Sequence, residues 1–316
     1  MTARAITLVV ALLCLGGCGG SSGGDATPAA DAAKTRALLQ QTFGPNDAAG
    51  SGRISGTIDI TTTGVPRFEG PVSLSMSGPF NTAPGSGTPQ ADLSLGIRLR
   101  DQIYGASMFL VGDDQVLIGL GPSAYEVPAA LATTIRKPLA GSRNVLGSVL
   151  DVFAIAPGRW AARSQMAGNT SIGGVDTVHL TAGINLKTFF DDAAAFTRVL
   201  TSLRFTEIAG LPQVITPKLR AALVRSVTSA TGDLYTGVSD HVVRRAHFDI
   251  RLRPSAADRR LLAGIRTMRL VGELGVSDVG APQKVAAPRQ RGSYRELQLT
   301  FDALGESARR KDRGGA

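Results

Sequence analysis

The chain has 316 residues, 43% hydrophobic and 19% charged, which excludes a disordered, low-hydrophobicity polypeptide and supplies ample core. Its two cysteines, Cys14 and Cys18, exclude a disulfide framework and a Cys-built zinc site, and three histidines leave little for a His-rich metal site. The formal charge of +9 is spread over scattered arginines with only 5% aromatic residues, so neither the basic stripe nor the aromatic platform of a nucleic-acid binder is present.

Arg4 precedes an apolar run at 6–15 (ITLVVALLCL), too short to span a bilayer and of the length of a signal-peptide core. The run leads into Leu15-Gly16-Gly17-Cys18, which resembles the bacterial lipobox. That resemblance implies diacylglyceryl transfer to the Cys18 thiol and cleavage before it, making residues 1–17 a lipoprotein signal peptide. A diacylglyceryl group carries two chains, enough for stable anchoring where one would exchange. Residues 18–33 then form the lipidated cysteine and a small, Gly/Ser/Ala-rich tether that cannot bury enough to order itself.

A helix is expected over 31–42, with Leu38 and Leu39 on one side. A period of two follows. Ile54, Ile58 and Ile60 alternate with Ser55, Thr57 and Asp59; Val72, Leu74 and Met76 alternate with serines; Leu93, Leu95, Ile97 and Leu99 alternate with Ser94 and Arg98. Less regular strands are expected at 103–110 and 116–120, with a short one at Tyr125. Turn-rich connectors stand at 84–89 (PGSGTP) and Gly112-Asp113-Asp114.

Helices are expected at 128–137, at 144–155, at 186–203, and from Thr216, an N-cap before Pro217, to about residue 227. Alternation returns at Val178, Leu180, Ala182 and Ile184, at Ala246, Phe248, Ile250 and Leu252, at Met268, Leu270, Leu274 and Val276, and at Leu297, Leu299 and Phe301. One apolar and one polar face per strand is the mark of an antiparallel sheet. Strands, helices, then strands predict an α+β fold with helices stacked on one sheet face. A single domain over 34–304 and a basic tail over 305–316 complete the organisation.

Groups that could carry chemistry have plainer readings. His241, Arg244, Arg245, His247 and Asp249 form the densest polar group, yet their spacing offers neither a ligand set nor a nucleophile. They read as a solvated strand face. Asp113-Asp114 reads as a turn and Asp191-Asp192 as helix surface. Trp160 reads as a packing plug near a helix end, with a place at a cavity mouth as the alternative. No Gly-x-Ser-x-Gly, Walker, Rossmann or His-Glu-x-x-His motif occurs, so the expectation is a non-enzyme without cofactor or metal.

The order of parts is itself informative: lipobox, tether, helix, strands, helices around Pro157-Gly158-Arg159-Trp160, then Gly174-Val175-Asp176-Thr177-Val178-His179, and Tyr235 to Arg245 (YTGVSDHVVRR) entering a strand. In this order the chain resembles mycobacterial lipoproteins of the LppX/LprG type, which share a fold with the LolA/LolB lipoprotein-localisation proteins. The basic tail departs from that pattern. The resemblance implies a curved antiparallel β half-barrel with helices on its concave face, enclosing an apolar cavity for the acyl chains of envelope lipids. The residues expected to line it are Ile58, Ile60, Val72, Leu74, Met76, Leu93, Leu95, Ile97, Val178, Leu180, Phe248 and Ile250. The reading is thus a lipoprotein anchored through Cys18 on the extracytoplasmic face of the cell membrane. Its partners would be envelope lipids and a loading protein that the sequence does not name; nucleic acid is not among them. A structural envelope lipoprotein with a solid core remains the alternative.

Overall fold

The computed structural model describes residues 28–65, 70–82, 88–99, 102–112, 115–140, 142, 144–204, 214–286 and 288–314. The lipobox, Cys18, most of the tether, the turn residues 84–87 and Asp113-Asp114 lie outside the described residues.

Twelve strands form one open sheet. Six come from a first run: β1 (Gly52–Thr63), β2 (Val72–Thr82), β3 (Pro89–Leu99), β4 (Gln102–Val111), β5 (Gln115–Leu120) and β6 (Ser123–Glu126). Five form a second: β7 (Ala161–Ile172), β8 (Val175–Ile184), β9 (Val227–Gly237), β10 (Val243–Leu252) and β11 (Thr267–Ser277). The short β12 (Arg291–Gly292) completes it. The order is β12-β6-β5-β4-β3-β2-β1-β11-β10-β9-β8-β7, so the β1–β11 pair sews the two runs together. Every pair is antiparallel except β12–β6, and the edges β12 and β7 do not meet. The result is a curved half-barrel of α+β class.

Alternation places the strands' apolar residues inward. On β1, Ile54 is buried while Arg53 and Ser55 are exposed. The described helices are α1 (Pro28–Phe43), α2 (Ala129–Arg136), α3 (Val145–Val152), α4 (Leu186–Ser202), α5 (Pro217–Ser226), α6 (Ala256–Leu261) and α7 (Tyr294–Gly314), and apolar residues of all but α6 pack with those of the inner face. Side-chain caps start several of them. Asn144, Asn185, Thr216 and Ser255 each accept a backbone N–H of the first turn. Among the described residues no helix is long and apolar enough to cross a membrane.

Three expectations are corrected. Leu297, Leu299 and Phe301 lie on helix α7, not on a strand. Leu297 and Phe301, four apart, are buried at 1% and 2% exposure, while Leu299 between them is 60% exposed. Ser293 and Glu296 form a reciprocal capping box, which fixes the helical choice: the Ser293 N–H bonds Glu296 Oε2 at 2.8 Å and the Glu296 N–H bonds Ser293 Oγ at 3.3 Å. Second, α7 runs on to Gly314, so residues 305–314, expected as a basic tail, continue a helix. Third, α1 begins at Pro28, inside the expected tether.

Candidate functional site: an apolar cavity on the concave face

The core under the helices is filled at two ends and open between them. At one end Ile54, Phe80, Leu93 and Met108 pack with Val149, Phe153, Leu297 and Phe301. At the other, Phe189, Phe190, Leu223, Ile250 and Leu252 pack together. Between these clusters lies a cavity of about 370 Å³. Pockets for small ligands span roughly 300–1,000 Å³.

Its sheet wall consists of two neighbouring cross-strand rows. One runs Ala106–Leu95–Met76–Gly56–Leu274–Ala246–Leu234–Leu180 across β4, β3, β2, β1, β11, β10, β9 and β8. The next runs Tyr104–Ile97–Leu74–Ile58–Gly272–Phe248–Gly232–Ala182 over the same strands. Every residue of both rows lines the cavity. Small residues recur in them, and a glycine inside a strand leaves room for something to approach the backbone. Gly272 is the strictest case, because a Cβ there would stand 2.1 Å from the Phe248 ring. Opposite the sheet, Leu39 and Phe43 of α1, Leu150 of α3, Phe196 and Leu200 of α4 and Leu304 of α7 form the roof.

The rows sort the twelve residues expected at the wall. Ile58, Leu74, Met76, Leu95, Ile97, Leu180 and Phe248 line the cavity. Ile60, Val72 and Ile250 belong to the adjacent row, paired through Leu270, beyond the opening. Leu93 and Val178 lie one row the other way, Leu93 in the filled core and Val178 against Leu38. Sequence alternation identifies the face but not the position along the strand, and only the register separates the rows. The helix residues and Trp160 escaped the list because a helical apolar stripe gives no sign of what it faces. The glycines at 56, 232 and 272 were the available signal.

Trp160 lines the cavity and also packs in an aromatic group, with its ring 5.0 Å from Phe189 and 6.1 Å from Phe248, both edge-on. Its indole N–H donates to Asp192 Oδ2 at 2.8 Å. Asp192 is buried, a correction to its reading as helix surface. It also accepts the Ala156 N–H at 3.1 Å and an Arg159 guanidinium N–H at 2.7 Å, so its charge is satisfied and the 156–160 segment is tied to α4. Asp191 points outward to Lys187 and Arg220.

The polar side chains of the second strand run stand on the opposite, convex face. His179 Nε2 and Asp233 Oδ1 are 2.8 Å apart, His247 Nδ1 is 3.8 Å from Asp233, and the His179 ring stacks on Tyr235 at 4.3 Å. Arg245 pairs with Glu273, and Asp249 with Arg251 and Arg269. Hydrogen bonds from Arg269 hold the Asp249 carboxyl down to about 2; burial opposes this and Arg251 assists. Among the described residues no group of three His, Cys, Asp or Glu could hold a metal ion. Asp233, His247 and Glu273 border the cavity through strand backbone, since their side chains alternate to the convex face. The cavity wall is therefore mainly aliphatic and aromatic, and the space can take up an apolar chain.

No protein-family model and no curated protein sequence matches the chain. Among solved structures it is similar to LprF from Mycobacterium bovis, with 12% identity over 81% of this chain and 97% of that one and a TM-score of 0.39. It is also similar to the lipoprotein LppX from Mycobacterium tuberculosis, with 15% identity over 80% of this chain and 99% of that one and a TM-score of 0.36. A LolA superfamily protein from Nitrosomonas europaea aligns over 77% of this chain and 91% of its own at 11% identity, with a TM-score of 0.18.

Proposed function

We propose that this protein is an envelope lipoprotein that holds the acyl chains of lipids in its concave-face cavity and carries or presents them. The observation that carries the reading is the cavity itself, an apolar opening between two filled cores. Gly56, Ala106, Ala182 and Ala246 interrupt the larger side chains of the two wall rows, and that saving of volume at mid-sheet supports an open cavity over a solid core. Aliphatic walls suit acyl chains, which ask for contact area without polar partners; each methylene taken from water contributes about 0.8 kcal/mol. Such chains cross an aqueous gap poorly without an apolar container. The lipobox at Leu15–Cys18 supplies the address: a diacylglyceryl anchor that leaves the folded body tethered at the extracytoplasmic membrane surface.

The test is chemical. A soluble form beginning after Cys18 keeps every described residue. Mass spectrometry of its organic extract should recover acyl lipids in stoichiometric amount. An extract free of lipid, together with no uptake of a fluorescent fatty acid, overturns the proposal.

A further inference from the structure

The cavity opens beside a second, more polar groove of about 1010 Å³, formed by α1, the end of α3, the turn at Pro157–Arg159 and β7. The two spaces share Leu39, Phe43, Leu150, Ile155, Pro157, Ala161 and Ser164. Three arginines, Arg36, Arg159 and Arg163, line the groove, against a single acidic residue, Asp151. Burial pushes that carboxyl above its usual range, with Arg159 opposing and Asp192 adding. Arg159 gives one N–H to Asp192, is otherwise 65% exposed, and keeps further donors. Neither Arg36 nor Arg163 makes an ion pair among the described residues.

Arg163 is there because β7 is irregular. The β7–β8 register shifts between Ala162 and Gln165, and Arg163 takes a left-handed backbone with φ 49°. A bulge on an edge strand re-aims side chains, and this conformation is uncommon outside glycine, so the backbone is bent for a reason. Consecutive residues, Arg163 and Ser164, both line the groove at this irregularity.

We propose that this groove binds the phosphate-bearing head of an anionic amphiphile whose chains occupy the cavity. The inference rests on the acyl-chain reading above. A guanidinium presents paired N–H donors that match phosphate oxygens, and the shared apolar residues give a single molecule a continuous path from charged head to buried tail. A free phosphate would meet the arginines but leave that path unused.

The test uses the full chain carrying Cys18→Ala and two lipids with identical chains, dioleoyl phosphatidic acid and dioleoylglycerol. Quenching of Trp160, the only tryptophan, reports binding. Arg36→Gln keeps a helix-compatible residue, and Arg163→Asn keeps one that tolerates positive φ. Equal thermal midpoints check that the double variant folds. It should bind phosphatidic acid weaker by about tenfold for each guanidinium removed, with dioleoylglycerol unchanged. Unchanged phosphatidic acid affinity, or equal loss for both lipids, overturns the inference. If the parent takes dioleoylglycerol and does not prefer phosphatidic acid, this inference alone falls; if it takes neither, the acyl-chain reading falls first. Glycerol phosphate binding as tightly as phosphatidic acid identifies a free anion as the ligand and overturns the amphiphile.

Discussion

Trp160 hands its indole N–H to the buried carboxylate of Asp192 at 2.8 Å, and that bond fixes the sole tryptophan at the wall of the cavity. The same carboxylate accepts the Ala156 N–H, so one side chain of α4 holds both ends of the segment that closes this corner.

Asp192→Ala leaves the indole N–H and the Ala156 N–H without acceptors and is expected to destabilise by about 1–3 kcal/mol for each that stays buried. Asp192→Asn keeps an acceptor for the indole and loses less. Urea unfolding midpoints measure the difference, and Trp160 emission should shift in the alanine variant. Equal midpoints for the alanine variant and the parent would remove Asp192 from this role.

Gly272 and Gly56 occupy neighbouring rows of the wall yet predict opposite responses to alanine. A Cβ on Gly272 enters the Phe248 ring, with three ring atoms within 2.8 Å, so Gly272→Ala overpacks and should cost about 1–3 kcal/mol. A Cβ on Gly56 meets nothing closer than 3.7 Å, so Gly56→Ala should leave the thermal midpoint nearly unchanged. The same loss in both variants would contradict the placement of Phe248 across Gly272.

Asp249 ties β10 to β11 through Arg269 on the convex face. Its folded pKa of about 2 lies below the ordinary carboxylate value, so its contribution is fully present above about pH 4 and is lost as pH falls toward 2. Both arginine side chains are more than half exposed, which keeps that contribution to about 1 kcal/mol or less. In Asp249→Asn, stability measured by urea midpoint should fall less steeply between pH 4 and pH 2 than in the parent. Parallel acid limbs would contradict the ion pair.

Strands with strict alternation were legible because one face is packed and the other solvated; β1, β2, β3, β10 and β11 have that asymmetry along most of their length. β7 was not legible. Its residues 161–172 are small and polar, it lies at the sheet edge, and most of it is exposed, so no burial pattern was written into it. The C-terminal helix was misread because Leu297, Leu299 and Phe301 fit a period of two. The pair four apart, 297 with 301, fits a helix equally, and the Ser293–Glu296 capping box decides between them. Within the site, composition and alternation identified the inner face. Which rows remain open depends on where the helices end above them, and that is set by tertiary contacts between distant segments.

Leu95 stands at mid-strand in the first row of the wall, between Ala106 and Met76, while Ser94 beside it points to the convex face and is exposed. Lipid retained per mole of protein, measured for Leu95→Trp and for the Ser94→Trp control alongside thermal unfolding, therefore tests most directly whether the cavity holds acyl chains. The account predicts that Leu95→Trp keeps the parent's thermal midpoint, because the indole enters open space, and retains far less lipid, while Ser94→Trp retains as much as the parent. A Leu95→Trp protein that loses about 1–3 kcal/mol by overpacking, with no lipid recovered from the parent, would show a filled core and contradict it.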